Sequence, residues 1–222
     1  METTTSINPA TEKEIASYAR ISAKEAEKKI AKAHKSYLNW KQTSFEERKK
    51  LMRNLAAIFQ KNKEKYAQLA TEEMGKIIEQ SRSEIEKCAK ICNYYADHIE
   101  ELLADEIIET EAKKSYVTFQ PLGVTLAVMP WNFPFYQVIR FAITNLMVGN
   151  SIILKHAENV TGTALLLESI FIAAGLPNGL FKTVIINHDQ SDIILEHDLV
   201  RGVTLTGSSK AGKIIGEKAG KA

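Results

Sequence analysis

Val124-Thr-Leu-Ala-Val128, leading at once into Met129-Pro-Trp-Asn-Phe-Pro134, decides how the second half of this 222-residue chain is read. The first five residues are uncharged and apolar or β-branched, the pattern of a short strand buried on both faces. Three more segments repeat it: Ser151-Ile-Ile-Leu154, Phe181-Lys-Thr-Val-Ile-Ile186 and Gly202-Val-Thr-Leu205. A helical or helix-length segment separates each from the next, and such alternation predicts a doubly wound α/β domain, a parallel sheet with helices on both faces. In open sheets of this kind ligands bind beyond the carboxyl ends of the strands, beside helix N-termini. Three predicted strand ends carry unusual chemistry: residues 129–134, Lys155-His-Ala-Glu158, and Thr206-Gly-Ser-Ser209.

The first half has a different grammar. Ser22-Ala-Lys-Glu25 and Ser44-Phe-Glu-Glu47 are capping boxes that predict helices over 23–39 and 45–62. Ala26, Ile30, Ala33 and Tyr37 form one apolar stripe, and Leu51, Leu55, Ile58 and Phe59 another. A third helix is expected to stop at Gly75 and a fourth to run over 76–103, so the first half reads as mostly amphipathic helix. Between 105 and 121 the period changes to two short strands, 107–110 and 115–119, around a polar turn: a hairpin with an exposed tip.

Composition narrows the partners. With 45% hydrophobic and 25% charged residues the chain is globular, and 29 basic against 27 acidic side chains leave a net charge of only +2, which favours neither nucleic acid nor an anionic membrane. Cys88 and Cys92 lie four apart with no histidine at ligand spacing, so they read as packed thiols in a reducing compartment and no metal site is expected. The N-terminus lacks the basic start and apolar run of a signal peptide, and Arg140, Asn145, Gly149 and Asn150 interrupt the most apolar segment. A soluble, cytoplasmic protein is expected.

Two of the strand ends invite specific chemistry. Residues 204–215, TLTGSSKAGKII, nearly spell a phosphate-binding P-loop, but position 214 is isoleucine where Mg²⁺ needs a hydroxyl, and Lys213 should lie inside a helix beginning near Ser208. What remains is a glycine and a serine at a helix N-terminus, suited to a diphosphate. In Pro130-Trp-Asn-Phe-Pro134 the prolines stiffen the exit from a strand. A rigid turn with Trp131 as a core plug explains the prolines and the ring but not the asparagine, whose amide N–H₂ suits an oxyanion.

PWNFP, the Lys-x-Ala-Glu after the next strand and the Thr-Gly-Ser after the fourth together resemble the aldehyde dehydrogenase superfamily, in the same order and at similar spacing. The resemblance spans the chain, from Ile7-Asn-Pro-Ala-Thr11 through Glu73-Met-Gly-Lys76 to its end, and PWNFPFYQVIRF with LMVGNSIILKHA is most similar to the succinate-semialdehyde dehydrogenase group. It implies a Rossmann-like sheet binding NAD or NADP across 1–104 and 122–222, with 105–121 as an oligomerisation hairpin joining a homodimer or homotetramer. Asn132 would donate to the carbonyl oxygen of a small aldehyde. Lys155 and Glu158 would hold the adenosine ribose, Gly207 and Ser208 the pyrophosphate, and Met129, Pro130 and Trp131 would flank the nicotinamide half.

Glu158 should repel a 2′-phosphate while Lys155 and His156 attract one, a balance leaning slightly to NAD. A helical arginine is usually a solvated charge, but Arg140 sits within an apolar segment expected to be buried, where it would need an anionic partner. The resemblance implies that this arginine, with Tyr136 four residues before it, holds the distal carboxylate of succinic semialdehyde. The nucleophilic cysteine and base glutamate of such enzymes belong to motifs beyond Ala222, and neither Cys88 nor Cys92 matches them. This chain is therefore expected to be the cofactor-binding half, inactive alone, with a catalytically dead nucleotide-binding or assembly module as the alternative. The turn Ile186-Asn-His-Asp-Gln190 departs from the glycine-rich adenine side of many relatives.

Overall fold

The structure is a computed structural model that describes residues 2–187 and 190–222. It opens on an element the helical reading of the first half omitted. β1 (Thr3–Ile7) and β2 (Glu14–Ala19) pair as an antiparallel hairpin. Asn8 shapes its turn, accepting from the amide of Ala10 at 2.9 Å, and Glu12 takes a left-handed φ of 59°. The threonine run and the Asn-Pro turn were its local signal.

The four helices follow closely. α1 (Ala23–Trp40) and α2 (Phe45–Lys61) each carry the complete capping box expected of Ser22 and Ser44. α3 (Lys63–Met74) ends at Gly75, whose φ of 78° is left-handed, and a Cβ there would lie 2.8 Å from the Pro9 ring. α4 (Ile78–Leu102) starts later than expected, because Ile77 is extended and Lys76 belongs to the preceding turn. β3 (Glu106–Ile107) and β4 (Tyr116–Val117) form a short exposed antiparallel ladder at the anticipated hairpin.

Then comes the sheet. β5 (Val124–Met129), α5 (Tyr136–Val148), β6 (Ser151–His156), α6 (Thr161–Ala173), β7 (Phe181–Thr183), α7 (Ser191–Leu195), β8 (Val200–Leu205) and α8 (Ser209–Lys221) alternate along the chain. The strands lie in the order β7-β6-β5-β8, all parallel. β7 is half the anticipated length. After Val184 donates to Leu154 the chain leaves the ladder, and the carbonyl of Ile185 accepts instead from Ile21, at the start of the α1 segment.

Period-two alternation gives the sheet two apolar faces. Ala127, Met129, Ile152 and Leu154 pack with α2, α4, α5 and α6 in the larger core; Leu126 and Ile153 pack with Ile30 and Ala33 of α1 and Ile194 of α7 in the smaller. The first-half helices thus form part of both outer layers. No helix among the described residues is long and apolar enough to cross a membrane.

Candidate functional site

Register places the three unusual strand ends side by side. Val128 lies opposite Lys155 on one side and Leu205 on the other, Met129 opposite His156, and the amide of Thr206 donates to the carbonyl of Val128 at 3.1 Å. The turns at 129–134, 155–158 and 206–208 therefore share the carboxyl rim of one sheet.

The first turn is anchored from below. Glu84, fully buried on α4, accepts the amides of Phe135 and Tyr136 at 2.8 Å each through one oxygen, capping the start of α5. Its other oxygen pairs with the ammonium of Lys76, which lies 4.1 Å from the centre of the Phe133 ring. Phe135 is buried against Tyr66 and Phe59. Between these anchors Trp131 and Asn132 face outward, and Trp131 is 51% exposed. The ring is thus no core plug, and the stiff turn presents Asn132 at the surface. Pro134 stands just ahead of α5, where the amide of Gln137 already reaches back to the carbonyl of Phe133 at 3.0 Å.

Tyr136 is half-buried and helps line a cleft of about 510 Å³ between α4 and α5, with Phe133, Gln137, Glu84 and Lys87. Arg140 departs from expectation. It is exposed rather than buried, and among the described residues its guanidinium bonds only the neutral Gln137, at 3.0 Å. α5 buries Val138, Ile139, Ala142 and Ile143 and turns Arg140 outward, so the apolar run around it forced no buried ion pair.

At the second turn Lys155 is buried, and loss of hydration holds its amine below the ordinary lysine range against the opposing pull of Glu158. Glu158 accepts from Arg20 of the N-terminal segment at 3.0 Å and from the hydroxyl of Thr4 at 3.4 Å. His156 also corrects the reading. It is buried, its Nε2 donates to the carbonyl of Pro134 and its Nδ1 accepts the amide of Ala157, both at 2.9 Å. Burial pushes its pKa down to about 4. It is a neutral brace between two turns and offers a phosphate no charge.

At the third turn Ser208 caps α8, accepting the amide of Ala211 at 3.2 Å, and Lys213 lies in the helix, away from its start. The amides of Ser209 and Lys210 find no acceptor among the described residues, leaving donors at the positive end of the helix. Met129 is buried, Pro130 half-buried and Gly207 exposed beside this rim. Of the adenine-side turn, His188 and Asp189 lie outside the described residues. Cys88 and Cys92 are fully buried, and burial raises both thiols far above the range in which a thiolate forms.

The chain matches the aldehyde dehydrogenase family over residues 1–222. It belongs to that family. Among similar proteins, one from Synechocystis sp. named as a probable succinate-semialdehyde dehydrogenase of the NADP(+) type is 43% identical over 206 residues, covering 93% of this chain and 45% of its own. The Escherichia coli K12 protein named succinate semialdehyde dehydrogenase, NAD(P)+, Sad is 36% identical over 217 residues, 98% of this chain and 47% of its own. The crystal structure of succinic semialdehyde dehydrogenase from Streptococcus pyogenes with NADP+ superimposes with a TM-score of 0.95 at 35% identity, covering 98% of this chain and 48% of that one. The chain spans about half the length of the curated relatives it matches.

Within this aldehyde dehydrogenase fold, sequence reasoning missed Arg20, Glu84 and Lys76. Arg20 carried no signal, because its partner lies 138 residues away. Glu84 did carry one: it falls on the buried stripe of α4 with Ser81, Ile85, Cys88 and Cys92, where an acid needs a partner.

Proposed function

We propose that this chain is the dinucleotide-binding part of an enzyme that oxidises succinic semialdehyde to succinate with NAD or NADP. The observation that carries the proposal is the register that gathers residues 129–134, 155–158 and 206–208 on one rim. The donor set fits a dinucleotide. Lys155 and Glu158 suit ribose hydroxyls as donor and acceptor, and the free amides at the start of α8, with Gly207 and Ser208, suit a pyrophosphate. Met129, Pro130 and Trp131 suit the nicotinamide half. A bound nicotinamide supplies the acceptor for the hydride that leaves the aldehyde carbon. The name of the Synechocystis relative favours NADP over the balance read from sequence, while that of the Escherichia coli relative admits both dinucleotides.

The chain's own part in the chemistry is positioning and charge stabilisation. Asn132, held on a turn fixed by Glu84 and the prolines, offers its amide to the carbonyl oxygen as negative charge develops there. Tyr136 lines the approach, and Arg140, free of a carboxylate among the described residues, offers a guanidinium to the distal acid of the substrate. Both cysteines are sealed in the α4 core, so the thiol nucleophile comes from outside these 222 residues and the chain alone is inactive. Residues 105–121, exposing Ile107, Tyr116, Val117 and Phe119, join copies into a dimer or tetramer.

Titration with NAD and NADP tests the reading through tryptophan fluorescence, since Trp131 is exposed and the other tryptophan, Trp40, is buried. A saturable change with either dinucleotide, absent with ATP and Mg²⁺, is expected. No change with either removes the dinucleotide site. In the complete enzyme, reduction of the dinucleotide must depend on added succinic semialdehyde.

A further inference from the structure

We propose that Arg20 sets the dinucleotide preference of the ribose site, by neutralising Glu158 so that a dinucleotide carrying a 2′-phosphate is accepted. The inference rests on the dinucleotide reading of the rim. A bare carboxylate at Glu158 would accept the two ribose hydroxyls of NAD and repel a phosphate in the same place. Here one oxygen of that carboxylate is taken. Arg20 Nη2 donates to Glu158 Oε2 at 3.0 Å, and the hydroxyl of Thr4 reaches the same atom at 3.4 Å.

Charges at the site then sum in favour of an anion. Lys155 and Arg20 are cationic, Glu158 is anionic, and His156 is buried and neutral. The guanidinium is also only partly used: its Nε is buried and has no acceptor among the described residues. Its position is fixed by the backbone. The amide of Arg20 donates to the carbonyl of Glu2, and that of Ile21 to the carbonyl of Ile185, both at 2.9 Å, so the segment carrying Arg20 is pinned beside the rim. A planar, permanently charged fork held in this way suits a phosphate, and its side chain is only 17% exposed, which limits screening by water.

Equilibrium titration of the protein with NADP+ and with NAD+, followed by Trp131 fluorescence or calorimetry, tests the role of Arg20. Arg20→Ala is expected to weaken NADP+ binding about tenfold or more relative to NAD+, because it both removes a cation and frees a repelling carboxylate. Adding Glu158→Gln to Arg20→Ala should restore much of the lost ratio. Glu158→Gln alone leaves Arg20 with its full charge and should raise the NADP+ to NAD+ affinity ratio, and this variant carries the test if Arg20→Ala does not fold. Equal effects of Arg20→Ala on the two dinucleotides, or a ratio that stays level or falls in Glu158→Gln, overturn the role of Arg20. Failure of the unaltered protein to bind either dinucleotide overturns the site itself, a separate result.

Discussion

His156 shows how far one side chain's environment departs from its neighbours in sequence. It adjoins Lys155 at the rim, yet both ring nitrogens are spent on backbone groups and burial holds its pKa at about 4 against 6.5 for the free side chain. With the folded pKa depressed, the unfolded chain binds the proton more readily between those two values, so stability falls as pH drops from 6.5 towards 4. The shift corresponds to on the order of 3 kcal/mol. Urea unfolding midpoints of the protein and of His156→Gln should therefore converge as pH falls through this window; parallel profiles would show that the imidazole is not held neutral. Asn132 is the opposite case, an exposed polar group whose proposed role needs a bound aldehyde. In the complete enzyme Asn132→Ala should lower kcat by about 10² to 10³, the loss of one oxyanion donor, with dinucleotide affinity unchanged. An undiminished kcat would remove Asn132 from the mechanism. The chemistry of both residue types was legible in sequence, but their burial was not. Arg140, set among apolar neighbours, turned outward and His156, beside a lysine, turned inward, because helix phase and strand direction decide that, not local hydrophobicity.

At the scale of elements, the starts of α1, α2, α5 and α6 are satisfied in two ways. α1 and α2 use serines and glutamates three residues apart, and these were readable at once because the whole device lies within one turn. α5 and α6 instead borrow acids from distant helices. Glu73 of α3, buried, accepts the amides of Gly162 and Thr163 at 2.8 and 2.9 Å, the hydroxyl of Thr163 at 2.7 Å and that of Ser6 at 2.9 Å. A Cβ on Gly162 would lie 2.7 Å from both Glu73 and the Tyr18 hydroxyl, so the glycine makes room for the cap. Glu84 does the same for α5 across 51 residues. Such caps leave only an acid in an apolar stripe as their trace, which is why the clamp beneath Asn132 escaped a local reading. Glu84→Ala strands the buried Lys76 ammonium and two amides, and should cost about 3 to 5 kcal/mol in denaturant unfolding. Adding Lys76→Met to Glu84→Ala should recover part of that loss. If the double variant were no more stable than Glu84→Ala, the stranded charge would not be the source of the cost.

For the whole molecule, the rim was legible because topology does the gathering: parallel strands joined through helices put every carboxyl end on the same side, whatever the loop lengths. The β3–β4 hairpin obeys no such rule. Its ladder has two residue pairs, too few for a ribbon to stand alone in water, and Ile107, Ile108, Tyr116, Val117 and Phe119 around it are each more than two-fifths exposed. In the proposed assembly the same patch would meet itself about a two-fold axis, so a copy of the same chain would offer these residues an apolar partner with self-complementary strand edges. Ile107→Lys with Val117→Lys places like charges across that axis and should reduce the assembled mass in sedimentation equilibrium. Both residues are exposed and neither strand of the ladder packs extensively on the rim strands, so NADP+ affinity should stay within about twofold, as for independent sites. A variant that kept its assembled mass would show that the hairpin is not what joins the copies. Loss of dinucleotide binding together with mass would instead mean that assembly and the cofactor rim are coupled through the connection between Val117 and the first residue of β5, Val124.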